Sequence, residues 1–372
     1  MARLSPLIYL GLLLSIFLIN APLNAQKSTR PEVFRIHRGV NISHWLSQSR
    51  ARGADRQAYF TEEDVAAVAK AGFDHIRIPI DEEQMWDEAG NKIPEAWQLL
   101  HAALGWMKKH RLKALVDLHI IRSHYFLDDD PPLFKNPAEQ RKFADLWVQL
   151  SDELRKYPRK NVAYELLNES VAKNHDDWNK VYRQAYDAVR AKEPKRVIFI
   201  GPNRWQNARY FPYLTIPEND PNIVLSFHFY SPHIITHYKA SWTDIRDYNG
   251  PVHYPGVSID PKDTLNLPLE IRNKIRQYTR DDVGIDQLEA MMQPAFDKAD
   301  QLNLQLYCGE FGCLGTVGAD MRNRWYRDMI TILEKHHVSW SAWDLKSGNF
   351  GVFDPKDRSL VIPADILFDG GR

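Results

Sequence analysis

The sequence has few cysteines, no excess of either charge and no long apolar run after its N-terminus. Its 372 residues include 48 basic and 48 acidic side chains, so its net charge gives no reason to expect nucleic acid or an anionic membrane as a partner. No segment after the N-terminus reaches the roughly 18 consecutive apolar residues that cross a membrane. The two cysteines, Cys308 and Cys313, lack the further ligands of a zinc site, and we expect both to be unpaired thiols.

The N-terminus has the pattern of a secretory signal peptide. Arg3 supplies a positive charge, residues 7–18 form an apolar core, and small residues precede Gln26. The apolar core is short for a membrane span, and no cysteine near the cleavage point indicates a lipid anchor. We therefore predict a signal peptide at 1–25 and one mature domain at 26–372, which is secreted to the periplasm or the medium, has no membrane anchor and is monomeric.

Short apolar runs alternate with helical patterns from Arg35 to Ile366. Strands are predicted at 36–42, 73–78, 113–118, 162–167, 196–200, 222–227, 304–308 and 338–343. Helices are predicted at 61–70, 94–110, 137–156, 175–192, near Trp205, and at 284–301, 320–336 and 361–367. This alternation predicts an α/β fold, a single-domain (β/α)8 barrel. A doubly wound open sheet is the alternative, but no glycine-rich phosphate loop follows the first strand.

Residues 231–283 break this alternation. The segment is rich in proline, glycine, aspartate and tyrosine and follows the sixth predicted strand. A connection of that length in a compact domain is usually functional. We predict a long insertion that forms a wall over a binding cleft.

Carboxylates follow the fourth predicted strand and lie at the end of the seventh. Asn168 and Glu169 come directly after the apolar run 162–167, and Glu310 follows the run 304–308. Asn168 and Glu169 alone would also suit the start of a helix. A barrel, however, brings all carboxyl ends of its strands to one face, where active sites lie. Glu169 and Glu310 are therefore predicted to face each other across the barrel mouth.

Other strand ends carry side chains that form hydrogen bonds or stack. They are Asn41, His44, Trp45, Arg77, Asp117, His119, His124, His228, Tyr230 and Trp343. Two opposed carboxyl groups in different environments are typical of glycoside hydrolysis. Arg77 beside Glu310 would favour its ionised form, while neutral neighbours would leave the pKa of Glu169 higher. Asn168 could bind a sugar 2-hydroxyl, and Trp343 offers a flat face for a pyranose ring.

Six motifs resemble, in order and spacing, those of glycoside hydrolase family 5, the cellulase family. They are Arg77-Ile-Pro79, Asp117-Leu-His119, Asn168-Glu169, His228-Phe-Tyr230, Gly309-Glu-Phe-Gly312 and Trp340-Ser-Ala-Trp343. The opening Arg38-Gly-Val-Asn41 and the stretch 227–242 are similar to bacterial endoglucanases. The resemblance extends from Arg38 to about Asp354.

The resemblance implies a retaining endo-β-glycosidase that hydrolyses a β-1,4-linked glucan without a metal or another cofactor. Glu169 would be the acid/base and Glu310 the nucleophile, with their carboxyl groups ~5 Å apart. The residues implied to support them are Arg77, His119, Asn168, His228 and Tyr230. Trp343 is implied as a sugar platform, and further candidates for substrate binding are Asn41, His124, His237, Trp242 and Lys346.

The sequence departs from commoner members of that family at two places and leaves alternatives open. Ile120-Ile-Arg-Ser-His124 replaces a small, glycine-containing turn, and Ser170 stands where proline often follows the acid/base. The substrate could therefore be mannan, xyloglucan or another β-glucan. A non-catalytic carbohydrate-binding barrel is a second alternative, although it would not need both Glu169 and Glu310. A metal-dependent barrel hydrolase that uses His119 and His228 is a third.

Overall fold

Eight parallel strands close into a barrel in the computed structural model, which describes residues 30–369. The strands are β1 (Arg38–Asn41), β2 (His75–Asp81), β3 (Lys113–Ile120), β4 (Val162–Glu165), β5 (Ile198–Ile200), β6 (Ile223–Phe229), β7 (Gln305–Phe311) and β8 (Ser339–Ala342). Each strand pairs with the next in the chain, and β8 pairs with β1. The predicted (β/α)8 barrel is confirmed, while the predicted signal peptide at 1–25 lies outside the described residues.

Helices surround the barrel. The α-helices are α1 (Gly53–Tyr59), α2 (Glu62–Ala71), α3 (Glu82–Met85), α4 (Pro94–Lys109), α5 (Pro137–Leu154), α6 (His175–Lys192), α7 (His233–Thr236), α8 (Leu269–Ile275), α9 (Ile285–Leu302), α10 (Ala319–Lys335) and α11 (Ala364–Phe368). The 3₁₀ helices are Pro132–Phe134, Ala208–Tyr213, Pro261–Thr264, Arg276–Thr279, Gly315–Val317 and Gly348–Phe350. Among residues 30–369, no helix is long and apolar enough to cross a membrane.

The barrel interior changes from apolar to polar towards the carboxyl ends of the strands. Alternate residues of a strand point to the same side, so β3 contributes Leu115, then Asp117, then His119 to the interior. Leu115 packs in a buried apolar cluster with Phe34, Ile36, Ala163, Val197, Phe199, Val224 and Tyr307. This cluster fills the amino end, and the polar residues that follow it on each strand are therefore held at the mouth.

Most apolar side chains lie between the barrel and its helices. This larger cluster includes one buried face of each long helix, such as Leu100 and Leu104 of α4 or Trp325 and Met329 of α10. The amphipathic spacing of these residues explains why the sequence predicted the long helices. The apolar interior and the helical layer together form a rigid support for the loops of the mouth.

Three predicted elements differ from the structure. Strand β2 continues through Pro79 to Asp81. Pro79 has no N–H to donate, but Ile78 and Ile80 on either side of it still pair with β3. Strand β4 ends at Glu165, and the carbonyl of Leu166 accepts from Trp147 Nε1 at 2.8 Å instead. Trp205 lies in a turn rather than a helix, since residues 204–206 all have positive φ angles, and the 3₁₀ helix begins only at Ala208.

The predicted insertion after β6 contains α7, α8, two 3₁₀ helices and a short antiparallel pair, Gly256–Val257 with Asp282–Val283. It is tied to the barrel by several contacts, among them Tyr254 Oη, which donates to Asp328 of α10 at 2.7 Å. It also contributes Ile259 and Tyr248 to the main apolar cluster. The insertion is thus a packed part of the domain.

Candidate active site

Glu169 and Glu310 lie next to each other at the mouth. A carboxylate oxygen of each and a ring nitrogen of His228 all lie within 4.8 Å of one another. Glu310 is the penultimate residue of β7, and Glu169 follows β4, the strand on the far side of β5 and β6. This spacing fits the roughly 5 Å of a retaining glycosidase and is too short for an inverting one, which needs about 6.5–9.5 Å.

Glu310 is held at both carboxylate oxygens. Arg77 Nη1 donates to Oε1 at 2.7 Å, and Tyr230 Oη donates to Oε2 at 3.0 Å. Burial raises the pKa of Glu310, while the charge of Arg77 opposes that rise. Gly312, two residues after Glu310, allows close packing here, since a Cβ at this position would clash with the Trp343 carbonyl oxygen. Two donors therefore fix an anion in one orientation.

Glu169 lies in a different environment. Its Oε1 is 2.9 Å from His228 Nδ1, and this imidazole is neutral because burial and Arg77 lower its pKa well below the usual value. Burial and the negative charge of Glu310 raise the pKa of Glu169 well above its usual value. The φ angle of Glu169 is +44°, an unfavourable conformation for a non-glycine residue that is common at active sites. Glu169 is thus poised to donate a proton.

Arg77 organises the carboxylates below this pair. The guanidinium is fully buried, and its Nε and Nη2 atoms lie 2.6 Å from Glu165 Oε2 and 3.0 Å from Asp117 Oδ2. With Glu310, three carboxyl groups share one positive charge. Burial and the charge of Glu165 raise the pKa of Asp117 well above its usual range, while the charge of Arg77 opposes that rise.

Substituting Arg77 by methionine should lower the free energy of unfolding by roughly 3–5 kcal/mol, because the buried carboxylates lose their counterion. Denaturant unfolding of the purified variant measures this loss. The matched control is Arg272→Met at an exposed position of α8, which should stay within about 0.5 kcal/mol of the parent protein. An Arg77→Met variant as stable as the control would contradict this role.

Glu165 and Gln206 lie directly beneath the site and were not among the residues predicted from the sequence. Gln206 Nε2 and Ser226 Oγ both donate to Glu165 Oε1 at 3.0 Å. Glu165 is the only charged residue in the apolar run 162–167, a signal that could have identified it. No sequence signal identifies Gln206, because its position depends on the left-handed turn at 204–206.

Asn168 and Asn41 contact the same guanidinium. Arg77 Nη2 donates to Asn168 Oδ1 and Nη1 donates to Asn41 Oδ1, both at 3.0 Å. Asn168 Nδ2 has no hydrogen-bond partner within residues 30–369, so it is available to a ligand. Asn41 Nδ2 instead bonds the carbonyl of Gly309 at 3.0 Å, and Asn41 is fully buried. Asn41 therefore joins β1 to β7 and is placed to support the site.

The rings of His119 and Trp343 stack on each other beside the carboxylates. Their rings are stacked with centroids 5.7 Å apart and planes 7° apart. His119 Nδ1 lies 2.7 Å from Asp117 Oδ2, and Nε2 lies 3.0 Å from Gln48 Nε2. Burial lowers the pKa of His119 to about 3. Both ring nitrogens of His119 are thus engaged with protein groups, and Trp343 also packs against the apolar cluster of Ala240, Leu314 and Phe350.

Two of the predicted substrate-binding residues are engaged elsewhere. His124 is fully buried, with its ring edge-on to Phe134 at 5.6 Å. The Nζ of Lys346 lies 2.9 Å from Asp64 Oδ2 at the start of α2, and its side chain is only 11% exposed. The structure places His124 in the core and uses Lys346 to anchor a loop, so neither is presented to a ligand.

His237 and Trp242, in the insertion, lie on the side of Tyr230. The ring of His237 is 5.1 Å from that of Tyr230 and 6.3 Å from that of Trp242. Trp242 is 56% exposed. A row of aromatic rings therefore leads from Tyr230, which donates to Glu310, to the surface at Trp242.

The unusual positions in the sequence have structural counterparts. Ser170 is buried, and its Oγ donates to Asn203 Oδ1 at 3.0 Å, so this serine keeps the turn after Glu169 in place without proline.

The spacing of Glu169, His228 and Glu310 would also accept a metal ion, and a chelator separates that possibility from metal-free chemistry. Cys308 and Cys313 are both free and buried, as predicted.

Comparison with known proteins agrees with this geometry. Residues 38–349 match the family described as cellulase, glycosyl hydrolase family 5. Endoglucanase C of Acetivibrio thermocellus is 30% identical over 338 residues, which cover 87% of this chain and 94% of that protein. Cellodextrinase A of Ruminococcus flavefaciens is 26% identical over 309 residues, covering 82% of this chain and 84% of that protein.

Solved structures share the barrel. Thermotoga maritima Cel5A, in complex with cellobiose and in complex with mannotriose, superimposes with a TM-score of 0.71 at 21% identity. The match covers 91% of this chain and 97% of that protein. At this identity the similarity concerns the fold.

Proposed function

The chain belongs to glycosyl hydrolase family 5, and from that premise we propose that it is a retaining endo-β-1,4-glucanase. The observation that carries the proposal is the close pair of unequal carboxyl groups, one held by Arg77 and Tyr230 and the other beside a neutral His228. The endoglucanases among its relatives support a glucan as the substrate.

The first step of this reaction uses the ionised Glu310 and the protonated Glu169. A Glu310 oxygen attacks the anomeric carbon, while Glu169 gives its proton to the departing glycosidic oxygen, and a covalent glycosyl ester forms. Asn168 Nδ2 is free to bind the sugar 2-hydroxyl, an interaction that strengthens in the transition state. Tyr230 and Arg77 hold the attacking carboxylate, so little reorganisation is needed.

The second step uses the same glutamate as a base. Esterification removes the negative charge of Glu310, which is one cause of the raised pKa of Glu169. The pKa of Glu169 therefore falls in the intermediate, and its carboxylate can take a proton from water. The water attacks the anomeric carbon, the ester bond to Glu310 breaks, and the product keeps its original β configuration.

The pH dependence of kcat/KM should be bell-shaped. Activity requires Glu310 ionised, so it rises as pH passes the pKa of Glu310, and it requires Glu169 protonated, so it falls as pH passes the higher pKa of Glu169. With a dinitrophenyl leaving group, which needs no proton, the alkaline limb should flatten. The measurement is kcat/KM against pH for aryl cellobiosides with poor and good leaving groups; identical alkaline limbs for both would contradict this assignment.

Product analysis on β-1,4-glucan, mixed-linkage glucan, xyloglucan, mannan and xylan tests the proposed substrate. We expect oligosaccharides from β-1,4-glucan at the highest rate and equal activity in the presence of a chelator. Highest activity on mannan would change the substrate, loss of activity in chelator would favour a metal-dependent hydrolase, and binding without product would favour a non-catalytic barrel.

We also propose that the enzyme acts outside the cytoplasm as a monomer. The signal-peptide pattern at 1–25 supports export, and a polymeric substrate too large to enter a cell is consistent with it. Cell fractionation and N-terminal sequencing of the exported protein test the export, and a mature N-terminus near Gln26 is the expected result. Light scattering tests the monomer.

A further inference from the structure

A hydrogen-bonded cluster at the carboxyl ends of β1 and β8 has no role in the reaction above. Ser43 Oγ donates to Asp344 Oδ2 and lies 2.6 Å from His44 Nδ1. Ser347 Oγ lies 2.9 Å from the same His44 nitrogen, and Ser347 N donates to Asp344 Oδ1 at 2.8 Å. Two loops from neighbouring strands thus converge on one side of a single imidazole.

The other side of that imidazole faces solvent. His44 is exposed, whereas Ser43 and Asp344 are buried, and His44 Nε2 has no hydrogen-bond partner in the described part of the chain. Partial burial of the ring lowers the pKa of His44. The φ angle of His44 is +56°, a conformation unfavourable for a residue with a Cβ. His44 therefore has an unfavourable backbone conformation, and in that conformation its Nε2 faces solvent.

His44 lies on the nucleophile's side of the mouth. It follows the end of β1 by three residues, and Asp344 directly follows the platform Trp343. The loop that carries His44 also carries Gln48, whose Nε2 lies 3.0 Å from Nε2 of His119, and His119 stacks on Trp343. In the closed barrel, β8 lies four strands from β4, which precedes the acid/base Glu169. The leaving group departs towards Glu169, so the glycone extends in the opposite direction, past Trp343 and His44.

We propose that His44 Nε2 binds a hydroxyl of the glycone, on a sugar beyond the one that stacks on Trp343. This inference rests on the proposed glucanase function and adds a substrate-binding residue to it. Ser43, Ser347 and Asp344 are positioning residues, because they fix Nδ1 and so aim Nε2 into the cleft. The ligand is a neutral β-linked sugar, which hydrogen-bonds well to an uncharged imidazole.

The test compares wild-type protein with His44→Ala on aryl β-cello-oligosaccharides that carry one to four glucose units in the glycone. The loss of kcat/KM in His44→Ala should increase with glycone length and reach about tenfold, as expected for one lost hydrogen bond. His337→Ala is the matched control, since His337 is also exposed with a φ angle of +52° but precedes the amino end of β8. It should match wild type at every length.

Three further variants separate binding from folding. His44→Gly, which tolerates the positive φ angle, should show the same length-dependent loss as His44→Ala. His44→Gln, which keeps a polar group, should recover part of the affinity. Ser347→Ala should raise KM for the longer substrates with kcat unchanged, because the imidazole stays but is less firmly aimed.

The outcomes distinguish this inference from the proposed function. A loss in both His44→Ala and His44→Gly that is equal at all glycone lengths, or no loss at all, overturns the role of His44 and leaves the glucanase proposal intact. Wild-type protein that hydrolyses none of the cello-oligosaccharides overturns the proposed function and this inference with it.

Discussion

Glu310→Gln should lower the turnover of the polysaccharide by at least about 10⁴-fold while the protein stays folded, because an amide cannot form the glycosyl ester. Arg77 and Tyr230 donate to both carboxylate oxygens of Glu310, and the remaining amide oxygen of glutamine can keep one of these bonds. The variant should therefore still bind substrate. Initial rates and substrate affinity, measured on the same preparation, check this expectation.

The control for Glu310→Gln is Glu218→Gln, an exposed position in the loop before β6. It should keep full activity. The Glu310→Gly variant provides a second test of the nucleophile, because the missing side chain leaves space for azide on that side of the sugar. Azide should then give a glycosyl azide of inverted configuration from an activated substrate. Near wild-type turnover in Glu310→Gln would overturn the assignment of the nucleophile.

Glu169→Ala should have the second largest effect, and its size should depend on the leaving group. A natural glucan needs its departing oxygen protonated, so turnover should fall by about 10³–10⁴-fold. A dinitrophenyl glycoside needs no proton in the first step, and its glycosyl-enzyme should form at a rate near that of wild type. The ester should then accumulate, because the second step has lost its base. Burst kinetics and mass spectrometry of the protein measure this accumulation.

Azide supplies the complementary observation for Glu169→Ala. As an anion that needs no base, it should restore turnover of the activated substrate and give a β-glycosyl azide, the retained configuration. Glu218→Ala, assayed alongside, should respond to azide no more than wild type does. An equal loss on natural and activated substrates, with no effect of azide, would remove Glu169 from the acid/base role.

The placement of Glu169 and Glu310 followed from the sequence because it depends on strand ends. Apolar runs of five or six residues predict buried parallel strands, and the first polar residues after them must reach the mouth. This reasoning placed Glu169 and Glu310 on one face without side-chain detail. It succeeded although β4 ends two residues earlier than predicted, at Glu165, and β7 ends three residues later, at Phe311, because both glutamates still lie within a few residues of the carboxyl end of their strand.

The residues beneath the pair did not follow from the sequence. Glu165 is the last residue of β4 and lies in an apolar run, where a charge is unexpected until its partner Arg77 is known. Lys346 was a candidate for sugar binding, yet its ammonium pairs with Asp64, which is distant in sequence. His124 was a loop candidate, yet the loop folds it against Phe134. The contacts of Glu165 and Lys346 join residues far apart in the chain, and that of His124 depends on how its loop folds, so sequence periodicity has no information about any of them.

His44, the proposed glycone-binding residue, illustrates the same limit. The sequence showed a histidine after the first strand and could not distinguish it from a surface residue. The two serines that fix its ring come from different loops, 43 and 347, and the positive φ angle is visible only in the structure.

Proton NMR of the product as it forms from a soluble oligosaccharide tests the central claim most directly. The account predicts that the first product carries the β configuration at its new reducing end and only then equilibrates with the α form, because Glu310 and water each invert the anomeric carbon once. A first product in the α configuration would show a single displacement by water. That result would contradict a covalent role for Glu310, whatever the polysaccharide proves to be.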